Sequence, residues 1–381
     1  MKNNNIDNIN KMNSIDQQIL ELRQKLKTYG ADINIHNFKL KNNNYRERFE
    51  NKKLKFSLSQ KLSIKNNKKI EKEENINSQS EKITNFDWGG EGNEFSNRIV
   101  NVTNKGNVYL FNSDNGKLIY NTNFNSGILN SCAIEKSENL MFAVGGFDGS
   151  LNLNYMNIKT GKEYEIGLRK FTGHKGKVSS IQFMSTAYMV SASFDSNIIL
   201  WDVITHGKIV NVYKGHIAAI TGLDVNQING NFFVTCSEDS TIKFWDIRIK
   251  NPCVGTFKAD SSINCVKYLP GRLSTVAAGC EDGTVRIYDL ETFKDLGIFK
   301  NNGHSISSIE LSKSGGILFA SSSENNTISI WSLLGSKETP LDTYEYINNQ
   351  SNENKGIIQI SMNSEKNKIA FANEEEIIII K

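Results

Sequence analysis

Proline is nearly missing from this chain, with three residues among 381, while asparagine and lysine are abundant. We attach no function to that bias. Cysteine is scarce too. Cys132, Cys236, Cys253, Cys265 and Cys280 are odd in number and lack CxxC spacing, which argues against a disulfide framework and a thiolate metal site. They fall in strand-like apolar runs, where a free Cys behaves as a small hydrophobe. No apolar run reaches about 18 residues and no signal-like segment opens the chain, so an intracellular protein without a membrane span is expected. The terminal EEEIIIIK is not a lipidation signal, so no anchor is expected of the chain itself. A formal net charge of +4 does not imply nucleic acid, but it is uneven, with 11 basic and 2 acidic residues from Lys39 to Lys69. Enzyme motifs are lacking as well: there is no GxxxxGK[ST] phosphate loop, no HExxH, no GxSxG and no cluster of metal ligands. The expectation is a protein that is no enzyme and takes no cofactor.

What the chain does have is a repeat between Gly173 and Asp246. Twice a Gly-His pair (Gly173-His174, Gly215-His216) is followed by an Asp (Asp195, Asp239) and then by Trp-Asp (Trp201-Asp202, Trp245-Asp246), with the two Trp 44 residues apart. Gly-His opening and Trp-Asp closing a unit of short alternating strands at this period is the signature of a propeller blade. If Trp201 marks the third strand of its blade, equivalents fall at Phe111, Tyr155, Trp245, Tyr288, Trp331 and Ile380, making seven units over 83–381. The last unit ends with its third strand, so its outer strand must come from elsewhere. The alternating Leu54-Lys55-Phe56-Ser57-Leu58, with Leu62-Ser63-Ile64, lies in a basic linker over 41–82 and is expected to supply that strand and close the ring. The linker is otherwise read as solvated; contact of its basic run with an anionic membrane surface is the sharper alternative. Two polar stretches, Gly90 to Asn97 and Glu338 to Lys355, read as loops.

Residues 1–40 form a helical candidate. Ser14 and Gln17 fit a capping box and Gly30 a stop signal. Met12, Ile15, Ile19, Leu22, Leu26 and Tyr29 alternate steps of three and four, which is an a/d seam. An isolated helix of this length is marginal in water. The seam therefore wants a partner, either a second chain or its own propeller. The fold class is all-β, a seven-bladed WD-repeat β-propeller preceded by an N-terminal coiled-coil helix.

Two polar sets repeat at blade spacing: His174, Ser191, Asp195 and Trp201, then His216, Thr235, Asp239 and Trp245. In each, the Asp can accept from the imidazole and the hydroxyl from the indole N–H. Leaving such a buried group unpartnered costs about 1–3 kcal/mol, so the members are specified together. A His near an Asp and a Ser also resembles a catalytic triad. Because the set recurs with the blades and includes a Trp donor, it reads as a structural staple. Other units are degenerate: Asp282 with Tyr288 lacks the His, with Asp260 near its place, and Gly303-His304 with Trp331 carries Asn325 for the Asp.

With these elements in place, the chain resembles the beta subunit of heterotrimeric G proteins. KITNFDWG is similar to the family's segment entering the first blade, and SCAIEKSENLMFAVGGFDG to its second. TFKADSSINCVKYLPG with EDGTVRIYDL is similar to the fifth blade, and SSIELSKSGGILFA to the sixth. The resemblance implies a non-catalytic subunit in signal transduction, cytoplasmic and held at the inner face of the plasma membrane only through a lipidated partner. Its seam would face a gamma-like small helical subunit. One propeller face would hold a GDP-bound alpha subunit or effector proteins, with no nucleic acid involved. Carried over residue by residue, that face includes Lys82, Phe147, Asp148, Asn264 and Glu281. At other positions of the same face this chain differs: Ile128 and Asn130 replace an aromatic and a Met, Lys177 a Tyr, Ala219 and Thr221 an Asp and a Met, Ser262 an acid, and Asn373 an aromatic. Those exchanges leave open an alternative, a WD-repeat scaffold of another complex, such as a ubiquitin-ligase receptor or a trafficking or RNA-processing adaptor.

Overall fold

The computed structural model describes residues 58–63, 81–89, 97–124, 127–136, 140–158, 164–205, 207–301, 303–345, 356–363 and 368–380. The chain divides into two units, 1–54 and 55–381, and the described residues all belong to the second. The helix expected over 1–40, with its seam, lies outside them.

Every regular element among the described residues is a strand, and the strands form seven four-stranded antiparallel sheets. Six are simple meanders: blade 1 spans 83–123, blade 2 129–171, blade 3 178–214, blade 4 220–258, blade 5 263–300 and blade 6 308–345. Blade 7 combines Gln359–Asn363, Lys368–Ala372 and Glu376–Ile380 with a strand from far upstream, Leu58–Ser63. That strand pairs with Glu376–Ile380 in the register Leu58 to Ile380 and Leu62 to Ile377. We label the strands of each blade a to d from the centre outward. Each a strand touches the a strands of both neighbouring blades, and blade 7 meets blade 1, so the ring is closed around a central channel.

The sequence pattern accounts for this placement. In blades 1, 2, 4 and 5 the a strand buries its first, fourth and sixth residues, as in Ile83, Phe86 and Trp88 or Ile263, Val266 and Tyr268. The b and c strands are apolar nearly throughout (FFVTCS, TVAAGC, EIIII) because both of their faces meet another blade. Between blades 7 and 1, for example, Ile377, Ile379 and Ala370 pack on Phe86, Ile99 and Phe111. Each fully buried Ile or Phe among them stabilises by about 1.5–3 kcal/mol relative to exposure.

A second, polar device ties the blades. In blades 1, 2 and 4 the second residue of the a strand reaches the carbonyl of the first residue in the next a strand: Thr84 Oγ1 donates to Leu129 O (2.6 Å), Asn130 Nδ2 to Val178 O (3.2 Å) and Thr221 Oγ1 to Ile263 O (2.5 Å). Asn264 Nδ2 likewise donates to Ile306 O (3.0 Å), and Ser307 Oγ to Ile357 O (2.9 Å), carbonyls just ahead of the next a strands. At the closing junction, the Gln359 amide spans the Phe86 backbone, donating to its O at 2.8 Å and accepting from its N at 3.2 Å.

Two expectations are corrected. The stretch from Glu338 to Lys355 is not all loop, because Asp342–Glu345 is the d strand of blade 6. Cys253 is exposed on a d strand, whereas Cys132, Cys236 and Cys280 are buried. Burial pushes the Cys236 thiol up to about 12 and Cys280 to about 11, so both stay protonated.

Candidate functional site

In a meander, the starts of the a strands and the b–c turns share one end of the ring. All the face residues carried over above lie at that end. The b–c turns there are built alike. The residue after the Asp needs a left-handed backbone, supplied by Gly149 and Gly283 (φ 78° each) and tolerated by Ser196 (64°) and Ser240 (62°). The preceding carboxylate holds the turn, with Asp148, Asp195, Asp239 and Asp282 each accepting from the N–H two residues on at 2.9–3.0 Å.

In blades 3 and 4 the turn is tied to the d–a loop that arrives beside it. His174 Nδ1 lies 3.1 Å from Asp195 Oδ2 and Nε2 lies 2.8 Å from Ser191 Oγ, while Trp201 Nε1 donates to the same Oγ at 2.8 Å. Blade 4 repeats this with His216 to Asp239 (2.9 Å), His216 to Thr235 (2.8 Å) and Trp245 to Thr235 (2.9 Å). A neutral imidazole satisfies every group: Nδ1–H donates to the carboxylate, the hydroxyl donates to Nε2 and the hydroxyl oxygen accepts from the indole. Burial lowers both His pKa values and so favours that neutral ring. Burial alone would raise the Asp195 carboxyl, but N–H donation from Lys175 and Asn197 and the imidazole outweigh it. Because the hydroxyl is shared between a Trp and a His at blade spacing, there is no free nucleophile here.

The network also fixes what is presented to solvent. Asp195 accepts from Lys175 N (2.8 Å) and Asp239 from Ile217 N (3.1 Å), so the residue after each His is held outward. Ile217 is 90% exposed, the highest value among the exposed large apolar residues. On the same end, blades 2 and 3 expose Phe147 (58%), Ile128 (43%) and Phe194 (40%), with the Lys177 ammonium 4.4 Å from the centre of the Phe194 ring. This is an apolar arc with a cationic partner stacked on it.

Blades 5 and 6 give the same end a different chemistry. In blade 5 the His is replaced by Arg286 from the c strand, whose Nη2 donates to Asp260 Oδ2 at 2.6 Å and lies 3.5 Å from Asp282 Oδ2. In blade 6, Ala320 stands where Ser191 and Thr235 stand, and the buried Trp331 Nε1 has no acceptor among the described residues. His304 there is half-exposed and meets Glu324 at 3.2 Å instead of entering the blade. Glu238, Asp260, Glu281, Asp282 and Glu324 are exposed, forming an acidic arc over blades 4 to 6. The sequence reading missed Phe194, Ile217 and this arc.

The expected face residues divide accordingly. Ile128, Phe147, Asp148 and Glu281 are exposed, and Lys177, Ala219 and Ser262 are partly so. Lys82 is paired with Glu374 at 2.6 Å. Asn130, Thr221 and Asn264 are turned along the channel into the inter-blade bonds described above. Asn373 is a correction: it is fully buried, its Oδ1 accepting from Glu375 N and Glu376 N at 2.9 Å, and presents no side chain at the surface.

Comparison with known proteins bears on this arrangement. Residues 167–202, 207–246, 251–289 and 294–332 match the family described as "WD domain, G-beta repeat". The chain is similar to the guanine nucleotide-binding protein subunit beta of Arabidopsis thaliana, 30% identical over 268 residues that cover 66% of this chain and 69% of that protein. It is also 30% identical to the subunit beta of Oryza sativa subsp. japonica, over 67% and 69% of the two chains. For that of Zea mays the identity is 29%, again over 67% and 69%.

Proposed function

The chain belongs to the WD-repeat family of G-protein beta subunits, a family of non-catalytic scaffolds, and from that premise we propose that it is the beta-like subunit of a heterotrimeric G protein. Its b–c-turn end is the docking face for a GDP-bound alpha subunit and, after release, for effectors. The observation that carries this reading is the apolar arc Ile128, Phe147, Phe194 and Ile217, set beside an acidic arc on the same end. Clustered exposed apolar residues rimmed by charge mark interaction sites, and aromatic anchors dominate binding energy in most interfaces.

The gamma-like small helical subunit is assigned to the seam Met12, Ile15, Ile19, Leu22, Leu26 and Tyr29. A second partner is supported by the opposite end of the ring. There the c–d turns of blades 3 to 6 expose Ile204, Ile249, Phe293 and Leu334 in succession. No helix among the described residues is long and apolar enough to cross a membrane, so we assign membrane attachment to the lipidated partner. On this reading residues 1–40, 41–82 and 83–381 are a partner-binding helix, a basic linker with the ring-closing strand and the propeller.

Purification of the tagged chain from its own cells, with mass spectrometry of what remains bound, tests the assignment. A small helical protein ending in a CaaX-type sequence, together with an alpha subunit retained in GDP and released by a GTP analogue, is the expected result. Recovery of ligase, coat or RNA-processing components without such a small partner would favour the adaptor reading. That reading is favoured structurally by the inward use of Asn130, Thr221, Asn264 and Asn373.

A further inference from the structure

The central channel opens, at the end opposite the b–c turns, into a cavity of about 500 Å³, within the size range of small-ligand sites. Its lining carries charge in two tiers. The inner tier comes from the a strands of blades 1 and 3 to 6: Asp87, Gln182, Asp224 and Lys267 at the fifth position and Glu310 at the third. Three carboxylates here face one ammonium, with Lys267 Nζ 3.9 Å from Asp224 Oδ1. Asp87 and Asp224 already accept from the Ile134 and Tyr268 N–H groups of the next blade (2.8 Å each), and Glu310 accepts from Leu311 N at 3.1 Å. By formal charge the tier therefore holds three carboxylates against one ammonium, and burial raises the Glu310 pKa while Lys267 lowers it. The outer tier has the opposite sign. Lys136, Arg272 and Lys313, all exposed, stand at the rim against the single buried carboxylate Glu135.

We infer that this cavity binds a ligand with a cationic group and a carboxylate at its two ends, the chemistry of a lysine or arginine side chain together with its own α-carboxylate. The cation enters the inner tier, where it lowers a net charge of two minus, and the carboxylate stays at the cationic rim. Spacing agrees. Lys136 lies three residues beyond Ala133, the fifth position of its a strand, and Lys313 lies three beyond Glu310, at most roughly 10 Å along an extended chain. An extended lysine spans a comparable distance from ammonium to carboxylate. A ligand of one sign only would match one tier and be repelled by the other. Two sources present this chemistry, the C-terminus of a peptide ending in a basic residue and the free amino acid.

The test is calorimetric titration of the full chain with an acetylated tetrapeptide ending in lysine, its C-terminal amide, the same peptide ending in leucine, and free lysine. The free-carboxylate lysine peptide is expected to bind at roughly millimolar affinity or better. Its amide and the leucine peptide should bind at least about tenfold more weakly, since each lacks one of the paired charges. Free lysine binding as well as the peptide would identify the amino acid as the source, and weaker binding the peptide terminus. Glu310→Gln and, independently, the exposed Lys136→Ala should each weaken the lysine peptide by about tenfold while thermal unfolding stays unchanged. Equal binding of all ligands, no binding to the wild-type chain, or affinities untouched by both variants would overturn the inference.

Discussion

Blades 3 and 4 and blades 5 and 6 share one topology, with six-residue b and c strands throughout, yet they solve one local problem differently. In the first pair a His enters from the d–a loop and completes a bonded chain from Asp to imidazole to hydroxyl to indole. In the second pair Arg286 takes over from the c strand of its blade, and blade 6 leaves Trp331 Nε1 without an acceptor among the described residues and His304 half-exposed. All four blades nevertheless fold with buried b and c strands. Apolar packing between blades therefore makes the ring, and the polar chain decides how the d–a loop is pinned. That decision shapes the face. The pinned loops hold Lys175 and Ile217 outward beside Phe194, whereas blades 5 and 6 present acids.

The largest break in this comparison is Trp201→Ala, expected to cost about 3–5 kcal/mol as a large-to-small core change. Trp201→Phe separates the two blade types. In blade 3 it removes the indole bond to Ser191 as well as volume, whereas Trp331→Phe in blade 6 loses no bond. Chemical denaturation should give a clearly larger loss for the first, and equal losses would contradict the staple reading. Next is Thr235→Val, which keeps shape but removes the acceptor for Trp245 and the partner of His216. About 1–3 kcal/mol per stranded group is expected. The converse change, Ala320→Ser, supplies Trp331 with an acceptor and should stabilise by about 0.5–1.5 kcal/mol. No gain in the unfolding midpoint would mean that the hydroxyl does not reach the indole.

Acid should act on blades 3 and 4 selectively. Burial holds the folded-state pKa of His174 and His216 below the usual 6.5. Their contribution is thus present in full above about pH 6.5 and is lost as the pH falls from there toward the folded values. Replacing both His by Gln should flatten the stability profile across that window; an unaltered slope would assign it to other groups. The smallest effect is at the turns. Ser240→Gly relieves a left-handed backbone but frees the unfolded chain, so a change under about 1 kcal/mol is expected.

The seven-fold period, the third-strand positions and both His–Asp–hydroxyl–Trp sets were legible in the sequence because each recurs at a fixed spacing. The arrangements that were not legible depend on which way a side chain turns between blades. Arg286 sits on a c strand at the position of Lys243 in blade 4 and Ile199 in blade 3, with no local signal that it would meet Asp260. Asn130, Thr221 and Asn264 read as surface positions from the resemblance, yet a carbonyl at or just ahead of the next a strand lies within reach of each. Asn373 was legible only as a turn residue, not as a buried one. Ile217 and Phe194 follow Gly-His and precede Asp, so the repeat itself marked their positions; what it could not give was their joint exposure.

The most direct measurement of the central claim is capture of the alpha subunit by a chain carrying Phe147→Ala, Phe194→Ala and Ile217→Ala together, compared with wild type in GDP. All three side chains are exposed, so the propeller should melt as before. The account predicts that the alpha subunit is lost while the small lipidated partner is retained, with affinity reduced at least about tenfold. Undiminished capture of the alpha subunit by this variant would contradict the claim that the b–c-turn end is the docking face.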